Sequence, residues 1–521
     1  MRYLFPLFLI LSCLLTFLPG CEPKEDLIQT SGSLEMGADT VLFDTVFTTI
    51  KTVTKRVWVY NRNGGAVKTD VSLAGLAGNT YSLIINGDAG PVVNNITVRG
   101  NDSLLVLVRA TLGDNGQATV AKKFLVEDEV RFRTNGNEQK VKLVAYGQNA
   151  YFHRADLIRV DTTWPTDKPH VIINANYVPP GGGQAYPVGV AVLQGITLTI
   201  PKGARIYSHA GAYLQVDGRL LVGQDFVPPT GTSNDSVKAN NPNIVRFTGD
   251  RLEPQYADAP GQWGGIIFTP NSIGNRIRYA EIKNATFGAL LYNPDNTAPR
   301  HPNLVLDNTV IRNISGANVS FANANASTGG GIISYSGDVT ATNCLFTNCG
   351  EYAVLGVGGG VYDFNFCTFA NYTPSFRRET ASLAFTNELA SDDTKTGPTS
   401  VTIRNSIVWG SYEDELLLKN SSAYSLLNIS NSLLRTQDYK AETDAADKPG
   451  LALPTRRNII NEDPLFVRTT LTSSRPDYSL QAASKAATPR RTPVGGNLPA
   501  RDLLNLPRNT AQPTIGAYEH R

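Results

Sequence analysis

Carboxylates, a guanidinium and two aromatic rings are concentrated in one short stretch: Asp250, Arg251, Glu253, Tyr256, Asp258 and Trp263. Carboxylate oxygens at this spacing suit a Ca2+ ion or the hydroxyls of a sugar, and an aromatic ring suits stacking on a sugar face. The structural alternative pairs Arg251 with one of the carboxylates and uses Trp263 to cover an edge. Three more acids, Asp307, Asp338 and Asp363, recur on successive copies of a repeat, where they could converge as the acid and base of polysaccharide cleavage. Each also stands beside a turn, where Asp is favoured for backbone reasons alone. Asp392 and Asp393 form an adjacent pair in a polar insertion.

Other chemistries are excluded early. Cys344, Cys349 and Cys367 lack the spacing of a zinc site, and the chain has only 5 His. Cys344 and Cys367 occupy the same place in neighbouring repeats, where their thiols can stack as small hydrophobes or join in a disulfide in an oxidising compartment. A net charge of +2 with scattered Lys and Arg leaves no footprint for nucleic acid. The residues therefore point to no metal centre other than Ca2+.

The elements that must position these residues are read from a repeated phrase between Val192 and Leu434. Its clearest copies are IRYAEIKN (277–284), LVLDNTVIRN (304–313), VTATNCLFTN (339–348), YDFNFCTFAN (362–371), VTIRNSIVWG (401–410) and LNISNSLLRT (427–436). Apolar alternation broken by turn residues, with no helical periodicity, predicts a solenoid of stacked β-coils. Asn308, Asn343, Asn405 and Asn431 recur just before an apolar stretch. They predict a ladder of left-handed corner residues rather than a row of catalytic amides. Ile282, Val310, Leu345, Phe369, Ile407 and Leu433 are expected to face inward as one core. Upstream, short alternating strands such as 57–60, 104–108 and 130–133 are separated by turns such as Asn135-Gly136. They predict an antiparallel sandwich of immunoglobulin type.

The N-terminus carries a basic Met1-Arg2, an apolar run to Leu18, and then Leu18-Pro19-Gly20-Cys21. This resembles the signal peptide and lipobox of bacterial lipoproteins, which implies lipidation of Cys21 and a stable membrane anchor. Glu22-Pro23-Lys24-Glu25-Asp26 resembles the charged tether of Bacteroidota lipoproteins carried to the outer face of the outer membrane. Asp-Thr or Asp-Ser steps place Thr40, Thr45, Ser103, Thr162 and Ser236 in phrases similar to the O-glycosylation motif of the same bacteria.

At the other end, Asp463-Pro464-Leu465-Phe466, Asp477-Tyr478-Ser479-Leu480 and Ile515-Gly516-Ala517-Tyr518-Glu519 resemble the choice-of-anchor Q type of C-terminal segment. That segment is attached to right-handed parallel β-helices of bacterial surfaces, and the resemblance implies that it closes the helix. Ala483-Ser484-Lys485-Ala486-Ala487 departs from the type. Phe43-Asp44-Thr45-Val46-Phe47 and Gly249-Asp250-Arg251-Leu252-Glu253-Pro254 extend the resemblance to a group of Bacteroidota surface lipoproteins, for which it implies no activity.

The expected plan is all-β: signal peptide 1–20, tether 21–39, immunoglobulin-like β-sandwich 40–160, right-handed parallel β-helix 170–460 and C-terminal capping segment 461–521. The expected function is a lipid-anchored cell-surface scaffold that binds a glycan or another surface component without catalysis. The rival is a polysaccharide lyase or glycoside hydrolase of the pectate-lyase-like β-helix type. The Asp, His-Gly and Arg-x-Lys series that would resemble polygalacturonases is missing, and fold alone confers no activity.

Overall fold

The computed structural model describes residues 28–113, 124–178, 185–228, 241–297, 300–317, 329–374, 377–488, 491–495 and 498–520. They divide into two compact units, with the break between Asn149 and Ala150.

The first unit is a β-sandwich of two five-stranded sheets. One is antiparallel and is centred on Lys55–Tyr60, Ser103–Ala110 and Tyr81–Ile85. The other is centred on Asn137–Gln148 and Phe124–Thr134, with Thr40–Phe47 running parallel along its edge. Strict alternation builds the core. Along Ser103–Ala110 every second side chain is buried, and Val57, Val59, Val106, Val108, Phe132 and Leu143 meet between the sheets. Asn135 and Gly136, both at positive φ (51° and 81°), make the tight turn between the two longest strands.

The second unit is a parallel β-helix. Among the described residues its coils stack into one eleven-stranded and two nine-stranded parallel sheets. The first coil begins at Tyr151–Arg154, pairing in parallel with His170–Ile173, so the solenoid takes residues that the sequence pattern assigns to the sandwich. One complete coil runs through Ala280–Lys283, Ala289–Tyr292 and Asn303–Asp307, one strand in each sheet. Its interior is stacked like on like: Phe346 lies on Phe369 with centroids 4.8 Å apart and planes 15° apart, about one strand spacing. Cys344, Cys349 and Cys367 are free thiols buried in this core, and burial drives the Cys349 thiol up to about 12.

The inward set differs from expectation in four of its six members. Ile282 and Phe369 do face the solenoid core. Val310, Leu345, Ile407 and Leu433 point to the other side of the same eleven-stranded sheet. They are covered there by Phe466, Tyr478, Leu480, Leu503, Ile515 and Ala517 from the C-terminal segment. A strand buried on both faces carries no alternation to reveal which face is inside.

The C-terminal segment accordingly clads the flank of the solenoid. The end of the coil stack is closed by 436–458, where Tyr439 and Leu451 enter the core and the Tyr439 hydroxyl accepts the Leu418 amide at 2.8 Å. The corner asparagines hold the cladding in place. Asn308, Asn343, Asn405 and Asn431 adopt positive φ of 46–52°. Their side-chain amides donate to the carbonyls of Asp502, Arg501, Val494 and Thr492. Asn431 also donates to Asn405, and Asn405 to Asn365, each at 2.8 Å. In the one coil where Phe366 takes the left-handed corner (φ 52°), the Arg508 guanidinium lies 4.5 Å over its ring. Arg508 also bonds Asn343 and Gly516 and pairs with Glu519 at 3.5 Å, with both side chains buried. Burial lowers the Arg508 guanidinium to about 10.

Candidate functional site

The stretch 250–263 leaves the eleven-stranded sheet after Val245–Gly249 and enters a nine-stranded sheet at Gly265–Phe268. Each of its carboxylates meets a cation. Asp250, nearly buried, bonds Nδ1 of the half-exposed His209 at 2.6 Å. Glu253 pairs with Arg251 at 3.2 Å, and the Arg251 guanidinium lies 3.9 Å over the Tyr256 ring. Asp258 takes Arg312 at 2.7 Å and Lys283 at 3.4 Å, both from strands of the coils alongside. Burial opposes ionisation of Asp258, yet the charges of Arg312 and Lys283 outweigh it and hold the carboxyl below its ordinary value. His209 is raised by its bond to Asp250.

Trp263 does not stack on the surface. Its ring is buried in the solenoid core and its indole N–H donates to the Lys283 carbonyl at 2.8 Å. The stretch is thus built as a clasp between coils, with its three carboxylates spread over four basic partners. Among the described residues no group of three or more His, Cys, Asp or Glu side chains is placed to hold a metal ion. Sequence reasoning missed His209, which lies 41 residues from Asp250 and shares no motif with it.

Asp307, Asp338 and Asp363 stand on successive strands of one nine-stranded sheet, but at different levels along them. Asp338 lies opposite Asn303, Asp307 opposite Thr342, and Asp363 opposite Thr340. Asp307 is therefore four residues, about 13 Å, further along the strand than Asp338. Each is engaged by a base: Asp307 with Arg276 at 2.7 Å, Asp338 with His301 at 3.0 Å, Asp363 with Arg404 at 2.6 Å. Asp392 pairs with Lys395 at 3.0 Å in its exposed insertion, beside the exposed Asp393. Asp307, Asp338 and Asp363 thus each serve as the ion-pair partner of a base on their own or an adjoining coil.

The outer side of this same sheet has a consistent character. Arg276, Val305, Thr340, Asp363, Thr402 and Asn428 are paired neighbour to neighbour in one column, one residue per coil. All six are partly or fully exposed. The other nine-stranded sheet differs: its matching outward column, Ile267, Leu290, Ile333 and Leu355, is apolar and largely buried. The eleven-stranded sheet is clad from Val310 onward, whereas its earlier strands turn Arg205, Arg246 and Glu281 outward. Among the described residues, the nine-stranded sheet of Asp307, Asp338 and Asp363 keeps an open polar face from Arg276 to Asn428.

Thr40 is exposed at the start of a sandwich strand, while Thr45 and Ser103 are partly exposed. Thr162 is partly exposed, with its hydroxyl donating to the Val160 carbonyl at 2.7 Å. Ser236, Cys21 and the signal peptide lie outside the described residues. Among those described, no helix is long and apolar enough to cross a membrane.

No protein-family profile matches the chain. No curated protein matches it either. The solved structures with partial similarity to this chain include the following three. The ASH/PapD-like domain of human CEP192 is 11% identical over 24% of this chain and 89% of its own, with a TM-score of 0.16. A family 123 glycoside hydrolase from Clostridium perfringens is 9% identical over 22% of this chain and 27% of its own, with a TM-score of 0.15. The periplasmic chaperone SfaE is 12% identical over 22% of this chain and 57% of its own, also at 0.15. Likenesses at these scores carry no inference about this chain.

Proposed function

We propose that this protein is a lipid-anchored surface scaffold whose open polar sheet binds a glycan, without catalysis. The observation that supports the reading is the column from Arg276 to Asn428. It sets one side chain per coil at intervals of about 4.8 Å on a rigid surface, a spacing that suits the successive units of an extended polymer. Hydroxyl, amide and ion-paired groups on such a face offer hydrogen bonds to sugar hydroxyls while withholding a free acid and base. The lipobox at Cys21, followed by the charged tether, supports anchoring at the outer membrane facing the exterior. Asp250, Glu253 and Asp258 remain a candidate Ca2+ or ligand loop only insofar as a bound ion displaces their present cation partners.

The test is a glycan array with the protein lacking residues 1–21, followed by titration of any hit against Thr340→Lys and Thr402→Lys. Binding that both substitutions abolish, with melting temperature unchanged, is the expected result. Binding indifferent to both places the ligand elsewhere. Release of reducing or unsaturated ends from polysaccharides establishes the enzymatic rival. Labelled fatty acid that fails to enter the protein through Cys21 removes the anchor.

A further inference from the structure

The first coil of the solenoid is sealed by a polar aromatic stack. His170 lies opposite Ile206 of the next coil, a core residue, and so occupies an inward position; His153 lies opposite the equally inward Ile172. Both imidazoles lie against the buried indole of Trp164, His153 at 4.5 Å and 16°, His170 at 4.2 Å and 8°. Tyr151 stacks on His170 at 5.2 Å. The rings are joined edge to edge in a chain of three hydrogen bonds. Asp156 Oδ2 meets His153 Nδ1 at 2.7 Å, His153 Nε2 meets His170 Nδ1 at 2.9 Å, and His170 Nε2 meets the Pro165 carbonyl at 2.7 Å.

Protons on this chain can be counted. The Pro165 carbonyl can only accept, so His170 Nε2 carries a proton. The bond from His153 holds the Asp156 carboxyl below its ordinary value, so Asp156 is a carboxylate and His153 Nδ1 carries a proton. The central bond needs one proton between its two nitrogens. Two rings therefore share three protons and one positive charge, balanced by Asp156. A fourth proton would set two N–H groups against each other at 2.9 Å and add a second charge inside the stack. Burial resists that step and pushes the His170 imidazole down to about 4.

The other groups near the chain do not supply a second counter-charge. Asp167 lies close enough to favour the charged His170, but it is exposed and accepts the Tyr151 hydroxyl at 3.1 Å. The Lys168 ammonium lies over the Tyr151 ring. Arg205 and Tyr207 on the neighbouring strand alternate to the opposite face from the core residue Ile206.

We propose that His153, Trp164 and His170 form a proton-counted latch on the first coil, closed while the two imidazoles share three ring protons and opened by uptake of a fourth. The sign follows from linkage. An unfolded His titrates near 6.5, so below that value the opened coil binds a proton that the closed one refuses. The latch is strongest near pH 6.5: it loses about tenfold in closing equilibrium per pH unit below that, down to about 4, and weakens again above it, where the opened imidazoles keep two ring protons and the closed pair three.

Amide hydrogen exchange on the whole chain tests this, with residues 339–371 of the mid-solenoid as internal reference. Between pH 6.5 and 4.5, after correction for intrinsic rates, protection of 151–173 is expected to fall about a hundredfold while the reference holds. His153→Gln is expected to remove the step. Independently of any variant, imidazole nitrogen shifts of the labelled protein at pH 7 should show three protonated nitrogens out of four in this pair. Two or four protonated nitrogens, or a fall in protection shared equally by 339–371, overturns the latch.

Discussion

Two sheets of the same solenoid, made by the same repeat, meet opposite fates. The eleven-stranded sheet turns Val310, Leu345, Ile407 and Leu433 outward and is covered by the chain's own C-terminal segment. The open nine-stranded sheet turns Thr340, Asp363 and Thr402 outward and, among the described residues, has no such cover. Coil geometry is common to both, so the destination of a flank is written only in its outward residues. A solenoid can dedicate one flank to its own stability and leave another for a partner.

The contrast is broken most severely by removing residues 462–521. The bared flank should drive the protein into aggregates or multimers, read by size-exclusion chromatography. A truncated chain that stays monomeric with an unchanged melting temperature would show the cladding to be dispensable. Arg508→Met should cost about 3–5 kcal/mol in urea unfolding, because Glu519 is left buried without its partner. Ile407→Ala, under the cladding, should cost about 2–5 kcal/mol, like a core truncation, despite its outward direction.

Asn343→Ala should cost about 1–2 kcal/mol, through its left-handed φ of 52° and its lost bonds to Arg501 and Arg508. Asn343→Gly should recover the conformational part alone. At the small end, Thr402→Ala on the open sheet should shift stability by no more than about 0.5 kcal/mol. A large effect there would mean that this flank, too, is structural.

The coil, the Asn corners and the β-sandwich were legible because each rests on local signals: period-two alternation, turn residues and left-handed asparagines. The side of the eleven-stranded sheet that faces inward was not. A faint signal existed in the run Ile407-Val408-Trp409, apolar at three successive positions, whereas Thr399–Arg404 alternates. The loop carboxylates looked available because their partners are remote in sequence: Asp258 meets Arg312 54 residues on, and His209 meets Asp250 41 residues on. The stack at His153, Trp164 and His170 gave no sign at all, because each residue is ordinary alone and only coiling brings them together.

The rail of asparagines also sets an order in time. Neighbouring coils need only contacts between nearby stretches and can form as the chain lengthens. The bond from Asn308 to Asp502, by contrast, spans 194 residues. Until residues 462–520 are made, the flank bearing Leu345, Ile407 and Leu433 stands bare and sticky. The C-terminal segment, arriving last, acts as a zip fastener drawn across a finished wall. Maturation of this protein should therefore end in one late, long-range step, slow against the growth of the coils and open until then to capture by other chains.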